Sequence, residues 1–105
     1  MNRLEFTRLI SALIIEMSRQ EENPILDFVK RSDEEQKRLY DMGLSKCDGT
    51  NVISMHQRGK AADIYFLEDG QLAPPKKGYA YWHDIWKNWG GEPAISWDEG
   101  HFEAK

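Results

Sequence analysis

The 105-residue chain predicts one α+β domain, a small antiparallel sheet with flanking helices. Three observations lead there. Apolar residues recur at helical spacing in two separate stretches. An apolar β-forming run between them meets an Asp-Gly turn, the mark of a hairpin. The resulting order is helix, strand, helix, strand or hairpin, helix, strands.

Leu4, Phe6, Leu9, Ile10, Leu13, Ile14 and Met17 predict an amphipathic helix over residues 3–19, which "QEENP" ends. "ILDFV", residues 25–29, follows a proline and reads as a short strand. Ser32 opens a second helix. Glu35 completes a capping box, Asp33 and Glu34 suit the positive end of the dipole, and Gly43 closes it. Residues 44–55 read as a loop. "AADIYFL" predicts a strand, Asp69-Gly70 turns it, and "APPKKG" excludes regular structure. Tyr79, Trp82, Ile85, Trp86 and Trp89 share a helical face that Gly90-Gly91 terminates. His83 falls beside that face and is expected on the helix surface. "AISWDEGHFE" reads as strand, turn, strand.

Composition narrows the function classes. Hydrophobic residues make up 40% and charged residues 30%, a balance that folds rather than stays disordered. A net charge of −4 with no Lys/Arg stripe argues against a nucleic-acid partner. The single cysteine, Cys47, allows no intrachain disulfide and is expected to be an idle thiol. The first apolar run of four, "ALII", is as long as any in the chain and too short to span a membrane. Glu5 and Glu16 flank it and no small-residue cleavage site follows, so the N-terminal stretch reads as a core helix. A monomer made in the cytoplasm without an export signal is the expectation.

Two of the three histidines stand at loop–strand boundaries near carboxylates: His56 with Asp63, and His101 with Asp98 and Glu99. Catalytic zinc commonly takes three ligands from His and carboxylates and leaves a fourth position for water. Two histidines and one aspartate make such a set. The spacing from His56 to Asp63 excludes one helical face, where ligands lie three or four apart. It suits a loop ligand, a turn through Gly59, and a second ligand at the start of a strand, with Ala61 and Ala62 keeping bulk from the metal. A base is also needed, and either Asp98 or Glu99 offers a carboxylate within a short turn of His101. The plainer reading makes Asp63 a strand-edge charge, His56 a solvated loop residue, and Asp98 and His101 a hydrogen-bonded turn.

"SMHQRGKAADI" resembles the Ser-x-His-x-x-Gly-x-Ala-x-Asp motif of the zinc D-Ala-D-Ala carboxypeptidase and L-Ala-D-Glu endopeptidase family, which cleaves peptidoglycan stem peptides. "WGGEPAISWDEGHFE" is similar to that family's C-terminal signature, "YAYWHDIWKNWGG" to the helix before it, and "RSDEEQKRLYDMG" to its upstream segment. The likeness spans residues 25–103 in the family's order. It implies a hedgehog-like zinc domain over residues 1–105, with His56, Asp63 and His101 as zinc ligands and Asp98 as the catalytic carboxylate. It further implies that Ser54 bonds the substrate and that Arg31 helps polarise the scissile carbonyl or hold the substrate. Trp97, beside Asp98, is expected to line the substrate cleft. The Asp-x-x-His-Phe-Glu ending favours an L-Ala-D-Glu endopeptidase of the phage-lysin type, released to the cell wall by lysis machinery. A D-Ala-D-Ala carboxypeptidase is the alternative. From another class, a non-catalytic wall-binding or virion module would share the fold without needing Asp98.

Overall fold

The computed structural model describes residues 1–27, 32–43, 55–56 and 58–105. The elements run α1 (Arg3–Arg19), β1 (Pro24–Leu26), α2 (Asp33–Asp41), β2 (Ala61–Glu68), β3 (Gln71–Ala73), α3 (Tyr79–Asn88) and β4 (His101–Glu103). Every strand pairing is antiparallel, so the predicted α+β class holds.

α1 begins where the Asn2 side chain accepts from the Glu5 N–H at 2.8 Å. Phe6, Ile10, Leu13 and Met17, spaced four, three and four, form its buried stripe. Leu4, expected on that face, is exposed because two residues before Phe6 is about 200° around the helix. Glu21 takes a left-handed φ of 65°, and the Glu21 and Glu22 N–H groups cap Ser18 and Met17 carbonyls. The buried Glu22 carboxylate then accepts from Lys76 N at 2.7 Å, Lys77 N at 3.2 Å and Trp82 Nε1 at 2.8 Å. One side chain thus ties the approach to α3 onto the end of α1. In α2, the Ser32 hydroxyl accepts from the Glu35 N–H, as its sequence predicts.

β2 is the strand that all the others use. Its first three residues pair with β4, its middle with β1 and its end with β3. The Asp27 N–H donates to the Asp63 carbonyl, and the next residue's Ile64 N–H donates to the Gly100 carbonyl, both at 2.8 Å. Successive residues point to opposite edges, so β1 and β4 flank β2 on different sides. The Asp69-Gly70 hairpin forms as predicted, with φ of 51° and 79° at its two turn residues. β1 is shorter than expected, Pro24–Leu26 rather than 25–29, and residues 28 and 29 lie outside the described residues. The tail holds one strand instead of two, because Ile95 and Asp98 meet only in an isolated bridge.

Alternation along β2 and β4 divides the molecule. Ala62, Ile64, Phe66 and Phe102 join α1, Trp82 and Trp86 in the core. Trp86 stands edge-on to Phe6 and to Phe102, and its Nε1 donates to the Glu103 carbonyl at 2.8 Å. His83 is only 4% exposed, which corrects the surface reading. It is four residues after Tyr79 and three before Trp86, so it belongs to their stripe. Its ring stacks on Phe102 at 4.1 Å, and its Nε2 donates to the Glu99 carbonyl at 2.6 Å. Trp89, by contrast, is exposed at the helix end.

Gly91 bridges to Ala104 and lies directly against the Trp86 indole, where a Cβ would fall 2.0 Å from Nε1. Gly91→Ala should therefore destabilise the fold by about 1–3 kcal/mol through overpacking. Thermal unfolding checks this, with a fall in Tm of roughly 4–8 °C for each kcal/mol.

Candidate metal centre

On the face of β2 opposite the core lie Ala61, Asp63 and Tyr65, and on the same side of β4 lie His101 and Glu103. Asp63 and His101 are register partners, so their side chains leave adjacent strands side by side. His56 arrives from a turn closed by Gly59 N to His56 O at 3.1 Å and Lys60 N to Met55 O at 2.9 Å. Gly59 has φ +67°, a left-handed position that a side chain would strain, and a Cβ there would meet Arg3 Nε at 2.8 Å. Only Ala61 of the two alanines shares the face of Asp63, since Ala62 packs in the core.

The donor atoms converge. His56 Nε2 is 3.1 Å from His101 Nδ1 and 3.3 Å from Asp63 Oδ1, and His101 Nδ1 is 3.5 Å from that oxygen. Zinc bonds of about 2.0–2.2 Å at tetrahedral angles put neighbouring ligand atoms roughly 3.3–3.6 Å apart. The triangle matches that edge to within a few tenths of an ångström. All three residues are buried. Two imidazole nitrogens facing one carboxylate oxygen form an electron-rich cluster that needs a positive charge between them, from protons or a metal. Among the described residues this group could hold a metal ion.

The second nitrogen of His101 is occupied as well. Nε2 is 3.1 Å from Glu103 Oε1, so the carboxylate accepts its proton and Nδ1 is left toward the cluster. Burial works against charge on Asp63, but the hydrogen bonds from His101 and His56 outweigh it and hold its pKa at about 2. Burial likewise opposes the charged form of His101, and the Asp63 and Glu103 carboxylates overcome it and raise its pKa.

Asp98 closes the open side. The His101 N–H donates to the Asp98 carbonyl at 3.1 Å, making a tight turn through Glu99 and Gly100. This brings Asp98 Oδ2 to 3.9 Å from His101 Nδ1, with the Asp98 side chain 41% exposed. The Glu99 carbonyl is instead held from the core side by His83. Trp97 is 74% exposed, one residue before Asp98. Arg31, Ser54 and Cys47 lie outside the described residues.

Sequence reasoning missed three neighbours of the site: Glu103, His83 and Tyr65. Tyr65 is two residues after Asp63, and its ring lies against Gly100. Burial, then the charges of Asp63 and Asp98, push its hydroxyl up to about 12. It also lines an open cavity of about 230 Å³ with Leu72, Pro74 and Tyr79. The period of two from each strand ligand is the available signal for Tyr65 and Glu103.

The elements define an α+β domain carrying a His–Asp–His cluster with a carboxylate at its open side. No protein-family model and no curated protein matches the chain. Among solved structures, the chain is similar to an L,D-carboxypeptidase, DacB from Streptococcus pneumonia, with a TM-score of 0.69 and 18% identity. The likeness covers 99% of this chain and 66% of that one, and at this identity it is a likeness of fold. No helix among the described residues is long and apolar enough to cross a membrane.

The pKa directions set a pH dependence for the metal-free protein. His101, raised on folding, stabilises the fold below its ordinary value of about 6.5, and that contribution fades as pH rises through the folded value. Asp63, lowered on folding, contributes above its ordinary value of about 3.9 and stops as pH falls toward about 2. Chelated protein should therefore lose Tm as pH rises above about 6.5, and stoichiometric zinc should remove that loss by replacing the proton. Unfolding scans with chelator and with zinc measure both arms; a chelated Tm that stays level on the alkaline side would contradict the raised His101.

Proposed function

We propose that residues 1–105 form a zinc-dependent peptidase that hydrolyses peptidoglycan stem peptides at the cell wall. The observation that carries this reading is the triangle of donor atoms at 3.1, 3.3 and 3.5 Å, with the Asp98 carboxylate beside it. The fold shared with DacB and the resemblance of the two motifs to the stem-peptide peptidases support the substrate class.

On this reading His56, Asp63 and His101 hold the zinc. A zinc ion bound there would supply Lewis acidity and lower the pKa of a coordinated water to about 7. Asp98 accepts the proton of the attacking water and returns it to the departing amine. Its exposure suits that work, because the carboxylate must meet both water and substrate while the ligands stay dry. Trp97 offers an aromatic surface at the rim, Ser54 a hydrogen bond to the substrate, and Arg31 a cation for the developing oxyanion.

The bond cleaved is the L-Ala–D-Glu linkage, favoured by the Asp-x-x-His-Phe-Glu ending. The name of the solved neighbour favours a second reading, a carboxypeptidase removing one terminal residue. Incubation of the zinc-loaded chain with defined muropeptides, followed by mass analysis, separates them. Release of the stem peptide from its first alanine is expected. Loss of a single C-terminal residue would establish the carboxypeptidase instead, and no chelator-sensitive product would leave a wall-binding module.

Two substitutions test the assignments. Asp98→Ala should keep the fold and stoichiometric zinc while lowering kcat by about 10²–10⁴-fold, the usual worth of a general base. Unchanged turnover would pass the role to Glu99. His56→Ala should remove stoichiometric zinc, and elemental analysis showing full occupancy would refute its place among the ligands.

A further inference from the structure

We propose that Glu103 is the positioning residue of this centre: its carboxylate fixes the proton of His101 on Nε2 and so presents the Nδ1 electron pair to the metal. The metal's identity rests on the zinc reading above, whereas the hydrogen bond itself does not.

The His101 ring is used from both sides. Nε2 meets Glu103 Oε1 at 3.1 Å, while Nδ1 meets His56 Nε2 at 3.1 Å and Asp63 Oδ1 at 3.5 Å. A neutral imidazole carries one proton, and only the Nε2–H tautomer leaves Nδ1 able to donate an electron pair. A half-turn of the ring about its Cβ–Cγ bond would also withdraw Nδ1 from the cluster, and that turn breaks the bond to Glu103. One contact therefore selects both tautomer and ring orientation.

Sequence spacing makes the contact possible. His101 and Glu103 are two apart on β4 and share a face, so the longer Glu side chain reaches back along the strand to the far nitrogen. The backbone of Glu103 is anchored independently: its carbonyl accepts from Trp86 Nε1 at 2.8 Å and from Glu92 N at 3.0 Å. Strand placement and side-chain work are thus separable, and truncating the side chain leaves those backbone bonds intact.

The test uses the full chain with ¹⁵N-labelled histidine. Long-range ¹H–¹⁵N spectra report the His101 tautomer with and without zinc, and competition with a chromophoric chelator reports zinc affinity. Wild type should show Nε2–H with zinc bound, and without zinc at a pH alkaline enough for the His101 ring to be neutral. Glu103→Ala should lose the single tautomer in the metal-free protein and weaken zinc binding about 10–100-fold. Glu103→Gln keeps an oxygen acceptor without the charge, and should retain the tautomer and recover most of the affinity. An alanine variant with wild-type tautomer and affinity would overturn the proposal, and so would a glutamine variant that scrambles the tautomer. The glutamine variant decides alone if the alanine variant does not fold. Wild-type protein that binds no zinc would defeat the zinc reading, while the metal-free spectra would still decide the role of Glu103.

Discussion

The centre depends on one register, the antiparallel pairing that sets Asp63 opposite His101. Side chains alternate along a strand, so a slip of one residue would send His101 into the core and bring Phe102 out toward the cluster. The register is held mainly from the other face. Phe102 and Ala104 are buried with Ala62 and Ile64, and Trp86 grips the Glu103 carbonyl. Main-chain bonds from Ile64 to Gly100 and from Ala104 to Lys60 bracket the pair. Core packing therefore positions chemistry that it does not touch.

That arrangement concentrates polar groups in a place that is expensive for them. Two imidazoles and a carboxylate lie buried within one small volume, and neither burial nor mutual repulsion of lone pairs favours it. Without a metal, charge separation relieves the cost: Asp63 remains ionised and His101 tends toward its protonated form. A divalent cation would replace those protons and satisfy all three donors together. The same cluster is thus a pH-sensitive ion pair in one state and a ligand set in the other.

Part of this architecture is legible in the amino-acid sequence. The α1 stripe announces itself through spacing, and the β2–β3 hairpin through Asp69-Gly70, because both signals are local. His56, Asp63, Asp98 and His101 stand out by residue type, and the resemblance of their motifs groups them. Register is not legible in the same way. β1 and β4 have three residues each, too few for a pattern to specify which partner faces which. The contact of Glu103 with His101 follows only once β4 is known to be extended. His83 escapes the sequence pattern for a different reason. Its neighbour Trp82 claims the buried face by size, yet a helical stripe is wide enough to bury residues at both three and four positions from their partners. Arg31 and Ser54 remain expectations, since they fall outside the described residues.

The asymmetry of exposure around the cluster gives it a direction. Core strands and α3 stand behind it, where His83, Trp86 and Phe102 pack on one another and on the turn that carries Asp98. Asp98 borders it on the other side, and both Asp98 and Trp97, one residue before it, reach solvent. The three donor residues therefore lie on the buried side of the cluster, with the Asp98 carboxylate on its exposed side. On the proposed peptidase reading, that exposed side is the one from which a substrate can reach the Asp98 carboxylate. The turn through Glu99 and Gly100 is what aligns Asp98 with His101. It is short enough to bring the two together, and the His83 bond to the Glu99 carbonyl holds it from the core side.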